Sequence, residues 1–109
     1  MVYRVRLMPR AVEDIDQIYD HVTQAAPLRG SEWYERLIGA LYSLNQSPER
    51  CLIAKPLSKP GKTIRKLLFG KRPHTYRIYF DIVEDTVRIL HVRHGARREP
   101  THPELTTKA

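Results

Sequence analysis

The 109-residue chain has a mass of 12.8 kDa, with 41% hydrophobic and 28% charged residues. That length holds one hydrophobic core, and that composition excludes wholesale disorder and collagen-like repeats. Nineteen Lys and Arg against twelve Asp and Glu give a net charge of +7, and the excess is segregated: residues 1–54 carry six basic and seven acidic residues, residues 55–109 thirteen and five.

Val2 to Met8 alternates, with Tyr3, Val5 and Leu7 on one side, and predicts a short half-buried strand. Pro9 ends it and suits the first turn of a helix. Ala11, Ile15, Ile18, Tyr19 and Val22 recur at helical spacing, so an amphipathic helix is expected over about 10–24, with Glu13, Asp14 and Asp16 near the positive end of its dipole. Ala25-Ala26-Pro27 breaks it and implies a helical hairpin. The second helix is expected from about Leu28 to Asn45, with Trp33, Leu37, Ile38 and Leu41 on its apolar face. Gly39 within it is expected to let the two helices pack closely. Residues 48–62, with Pro48, Pro56, Pro60, Gly61 and lysines at 55, 59 and 62, read as an irregular basic loop. Three strands follow, Thr63–Phe69, Thr75–Val83 and Val87–Arg93, joined by short loops that predict an antiparallel meander.

The order strand, helix, helix, three strands predicts an α+β fold. A helical hairpin packs on one face of a small, mainly antiparallel four-stranded sheet, and the other sheet face stays open and charged. One domain is expected over residues 1–99 and a loose tail over 100–109. The single cysteine, Cys51, excludes an intramolecular disulfide and a thiolate zinc cluster. It reads as a structural thiol. The histidines lack metal-ligand spacing, so neither metal nor cofactor is expected. No apolar run approaches the ~20 residues of a membrane span, and no signal-peptide pattern opens the chain, so a cytoplasmic protein is expected.

The basic half favours polyanionic partners, either nucleic acid or an acidic protein segment. Lys55, Lys62, Arg65, Lys66, Lys71, Arg72, Arg77, Arg93, His94, Arg97 and Arg98 are its candidate contact residues. Arg97 and Arg98, paired guanidinium forks beside Gly95, rank first, because such forks suit bidentate contact with phosphate or carboxylate. Salt bridges to Glu13 and Asp14 are their structural alternative. RNA cleavage would need a base, an acid and cations at the phosphate. Arg65, His94, Arg97 and His102 are the candidates for that chemistry.

In the same order, Pro9-Arg10-Ala11, Asp14-Ile15, Ile64-Arg65-Lys66-Leu67, Tyr76-Arg77-Ile78-Tyr79-Phe80 and the closing run from Ile89 through His94-Gly95-Ala96-Arg97-Arg98 resemble the RelE/ParE superfamily of type II toxin–antitoxin toxins. The His-Gly-x-Arg ending resembles the ParE-like branch. The resemblance implies a toxin silenced by a cognate antitoxin with an acidic amphipathic segment, in a hetero-oligomer. It offers two effector chemistries: ParE-like members poison DNA gyrase, and RelE-like members cleave messenger RNA on the ribosome. No tyrosine follows Tyr79, where RelE-like nucleases supply one near the C-terminus. That favours the ParE-like reading. A nucleic-acid-binding module without toxicity is the remaining alternative.

Overall fold

A computed structural model describes residues 2–95. The elements in chain order are β1 (Arg4–Leu7), α1 (Pro9–Ala25), α2 (Gly30–Tyr42), β2 (Leu52–Ile53), β3 (Arg65–Phe69), β4 (Tyr76–Val83) and β5 (Thr86–His94). Short 3-10 turns occupy Ser43–Asn45, Pro48–Arg50 and Lys55–Leu57. The strands form one sheet in the order β1-β5-β4-β3-β2, with β1 parallel to β5 and every other pairing antiparallel. The expected class and helical hairpin are present, but the sheet has five strands where four were expected. The extra strand is β2, two residues long, inside the segment read as an irregular loop. A two-residue strand is too short to show an alternating pattern.

The helix face of the sheet buries Ile78, Phe80, Val87, Ile89 and Val92 against Ala11 and Ile15 of α1 and Leu37 and Leu41 of α2. These are the residues whose helical and alternating spacing predicted the elements. Burying each large aliphatic side chain is worth about 1.5–3 kcal/mol. The opposite face is not open as expected. Met8, Ala54, Leu57, Ile64, Tyr79 and Leu90 form a second apolar cluster there, and the 54–64 segment supplies three of its six members. An irregularity in β5 makes this possible. Pairing passes from Tyr79↔His91 to Phe80↔Ile89, so Leu90 is an extra residue and joins this second cluster.

The helices approach each other at Gly30, not at Gly39. A methyl group on Gly30 would collide with the Thr23 hydroxyl and touch the Tyr19 ring, whereas nothing lies within 4 Å of the same position on Gly39. α1 also differs from expectation at its start. Its first turn carries no acidic residue, and Asp14 is buried and does not serve the dipole.

Tyr3, just before β1, donates its hydroxyl to Glu49 Oε1 at 2.6 Å and so ties the first strand to the 48–50 turn. This bond holds the Glu49 carboxyl below its ordinary range, with the nearby Arg65 charge helping, and raises the Tyr3 phenol.

Gly39→Ala should raise stability by about 0.5–1 kcal/mol through helix propensity, and Gly30→Ala should lower it by about 1–3 kcal/mol through overpacking, both read by urea denaturation. Because folding lowers the Glu49 value, the Tyr3 bond contributes above the ordinary glutamate pKa of about 4.3 and is lost as pH falls through the folded value. The melting temperature of Tyr3→Phe should therefore sit below that of the parent at pH 7, and the gap should close in acid.

Candidate functional site

The cationic residues of the second half fall into three groups. Lys55 is exposed in its 3-10 turn, and Lys62 is half-buried where a tight reversal pairs it with Lys59 through two backbone hydrogen bonds of 2.8 and 2.9 Å. Arg65 is committed to structure: its Nη1 donates to the carbonyls of Glu49 and Cys51, each at 3.0 Å. Lys66 stands half-buried on the next position of β3. The third group gathers at the far end of the sheet, where Lys71 and Arg72 are exposed in the β3–β4 loop, and Arg77 and Arg93 are register partners on β4 and β5. Arg97, Arg98 and His102 lie outside the described residues.

The third group is built by close backbone approach. Gly95 donates its N–H to the Thr75 carbonyl at 2.6 Å, and a Cβ on Gly95 would stand only 2.9 Å from that oxygen. Gly70, at φ +94°, turns β3 into the loop in a conformation that L side chains rarely adopt. These two glycines press the loop onto the end of β5. The His74 ring therefore meets the His94 ring at 5.9 Å, and His94 stands edge-on to Tyr76 at 5.1 Å. Tyr76 in turn packs edge-on against Trp33 of α2 at 5.6 Å, and burial raises its phenol pKa.

Between this end of the sheet and the helical hairpin runs a groove of about 1190 Å³. Apolar and aromatic side chains, Ile18, Trp33, Phe69 and Tyr76 among them, line it. Cationic or imidazole groups come from both halves of the chain, His21, Arg29 and Arg36 from the hairpin side and Lys71, His74 and His94 from the sheet side, and the carboxylates of Asp14 and Glu32 share the lining. The sequence charge count missed the hairpin contribution, because Arg29 and Arg36 sit among acidic neighbours. Arg36 is paired with Glu32.

One expected charge on the sheet is not available at the surface. Arg93 is 2% exposed and lies 2.8 Å from His91 Nε2, so its guanidinium is an internal group and does not belong to the exposed cationic face. Arg88 makes two hydrogen bonds to Asp81, its partner across the strands, at 2.8 and 2.6 Å. The Asp81 bond raises the Arg88 pKa further and keeps it charged. Arg77 is half-buried, with Nη2 3.4 Å from the His94 carbonyl and its guanidinium 5.9 Å from the Tyr79 ring centre.

His91 and Asp14 are buried polar groups whose pairing the sequence reading did not foresee, since it placed Asp14 at the helix dipole. Asp14 stands on the same helical stripe as Ala11, Ile15 and Ile18, and a carboxylate on an apolar stripe is the signal that could have flagged it. Among the described residues, no group of three or more His, Cys, Asp or Glu is placed to hold a metal ion, and no helix is long and apolar enough to cross a membrane.

This arrangement is similar to that of solved toxin structures. A chain from the chromosomal ParDE toxin–antitoxin system of P. aeruginosa superimposes with a TM-score of 0.65 at 17% identity, covering 85% of this chain and 96% of that one. A double arginine-to-alanine variant of E. coli toxin RelE in the free state superimposes with a TM-score of 0.60 at 18% identity, covering 100% and 95%. At those identities the likeness defines the fold, that of the RelE/ParE superfamily. Residues 5–99 match the model of the ParE toxin of the type II toxin–antitoxin system parDE, and the chain belongs to that family. Toxin RelE2 of Caulobacter vibrioides is 33% identical over 88 residues, covering 81% of this chain and 90% of that protein. The protein is a type II toxin, and membership of such a system implies an antitoxin partner.

The Cys51 thiol is buried, and desolvation pushes its pKa up despite the nearby Arg50 and Arg65. It should therefore react with a thiol reagent such as DTNB at least tenfold more slowly in the folded protein than in urea, because the thiolate is the reactive form. Equal rates in the two states would place Cys51 at an accessible, activated site.

Proposed function

We propose that this toxin acts in the ParE manner, arresting growth by binding DNA gyrase, and that its antitoxin neutralises it in a hetero-oligomer through an acidic amphipathic segment. The observation that carries the target is the ParE family match across residues 5–99. The disposition of the histidines supports it. His91 has both ring nitrogens engaged, by Asp14 and Arg93, and so is not poised to take a proton from a ribose hydroxyl. His94 is packed edge-on against two other rings. The exposed Lys71 and Arg72, with the half-buried Arg77 and His94, form the described part of the target surface, and Arg97 and Arg98 continue it in sequence. Lys55, Lys62 and Lys66 supply further cationic contacts, while Arg65 anchors the loop that carries the first two. The groove between hairpin and sheet, lined by apolar and aromatic side chains and by more cationic than acidic ones, suits the antitoxin segment.

A second reading, ribosome-dependent cleavage of messenger RNA, is favoured by the relative named Toxin RelE2. In that reading His94 acts with Arg65, Arg97 and His102.

Purified toxin should inhibit gyrase supercoiling at micromolar concentration and leave translated messages intact in primer extension. Cleavage of messages at codon boundaries without any effect on gyrase would replace this reading with the second. Lys71→Glu combined with Arg72→Glu should leave the melting temperature within a degree or two, since both side chains are exposed. It should weaken gyrase inhibition by roughly tenfold, the scale of two lost contacts of up to about 1 kcal/mol each.

A further inference from the structure

A chain of buried polar groups joins α1 to the last strand, and target binding as proposed above makes no direct use of it. β1 stops at Leu7, so beyond Ile89 the outer edge of β5 has no strand beside it. Met8 donates its N–H to the Ile89 carbonyl at 2.9 Å as the chain leaves β1. One turn into α1, Asp14 takes over: its Oδ2 accepts the Val92 N–H at 3.0 Å and also meets His91 Nδ1, while its Oδ1 accepts from Arg10 Nε at 3.2 Å. The other ring nitrogen of His91, Nε2, lies 2.8 Å from the Arg93 guanidinium. Asp14, His91 and Arg93 are 7%, 1% and 2% exposed.

The chemistry fixes the direction of this chain. A guanidinium has donors only, so His91 Nε2 must accept from Arg93. The ring proton then sits on Nδ1 and is donated to Asp14. A carboxylate behind an imidazole makes the far nitrogen a better acceptor, as it does where histidine binds metals. A neighbouring strand could have satisfied the Val92 amide, but it would have offered His91 no carboxylate.

We propose that Asp14 and His91 are positioning residues: they hold Arg93, and with it the exit of β5 at His94–Gly95, in register with the helical hairpin. The basic pair Arg97-Arg98 follows that exit in sequence, so the target role of this tether rests on the function proposed above. Asp14 and Arg93, though buried, are both among the residues bordering the groove between hairpin and sheet, so the tether lies next to it.

The test is made on the full chain with ¹⁵N-labelled histidine. Long-range ¹H–¹⁵N spectra should show His91 as a single tautomer, protonated at Nδ1 and unprotonated at Nε2. Asp14→Asn keeps an acceptor and should keep that tautomer. Asp14→Ala should release the Nε2-protonated form, shift the amide resonances of His94 and Gly95, and reduce gyrase inhibition by roughly tenfold, the scale of one ordering hydrogen bond. If Asp14→Ala does not fold, the parent spectrum and Asp14→Asn decide. A His91 protonated at Nε2 in the parent overturns the proposal, as do His94 and Gly95 resonances unmoved in a folded Asp14→Ala. Gyrase left active by the parent protein, with the tautomer and shifts as expected, removes the proposed target and leaves the tether standing.

Discussion

Where β1 ends, the outer edge of β5 still has to be satisfied, because a buried amide without an acceptor costs about 1–3 kcal/mol. Asp14 meets that requirement from the side, on a helix, and the rest of the molecule is arranged around this substitution of a carboxylate for a strand. α1 has to run close along the edge of β5 for its carboxylate to reach Val92. That placement sets where α2 lies, since Gly30 fixes the approach of the two helices at the hairpin turn. The groove is the space left between the hairpin so placed and the end of the sheet.

The second constraint is that both faces of the sheet are apolar. The helices cover one, and the Ala54–Ile64 segment covers part of the other through Leu57 and Ile64. A sheet clad on both sides has fewer places for exposed charge than a bare platform. The cations are therefore pushed to its margins, into the loop between β3 and β4 and the end of β5. Within the strands, Arg88 is neutralised in place by Asp81, and Arg93 is hydrogen-bonded in place to His91. The irregularity at Leu90 gives the second face its last apolar member without disturbing the alternation of Ile78, Phe80, Val87 and Ile89 on the first.

Periodicity made the two helices, the three late strands and the helix-side core legible, because residues such as Ile15, Leu37, Ile78 and Ile89 repeat at 3.6 or 2 positions. The second core was not legible. Ala54, Leu57 and Ile64 lie among prolines and lysines with no regular spacing, and only the fold brings them to Tyr79 and Leu90. The family was readable from the order of short motifs, above all the His94-Gly95 ending. The surface was readable in composition but not in detail. A count of basic residues does not separate Lys71, which faces solvent, from Arg93, which is enclosed. Asp14 resembled a dipole residue because sequence position alone cannot show which side of the helix meets β5. Gly39 resembled a packing glycine for the same reason, while Gly30 at the hairpin turn held that role.

The two-residue strand β2 bears on how this protein avoids sticking to itself. It closes the β3 side of the sheet with Leu52 and Ile53, which are 62% and 45% exposed, and an apolar edge of that kind is a template on which another chain can add a strand. Pro56 and Pro60 have no N–H to extend the ladder, and Lys55, Lys59 and Lys62 bring like charges together whenever two such edges meet. The same lysines that make this half of the chain basic thus act as gatekeepers against edge-to-edge aggregation.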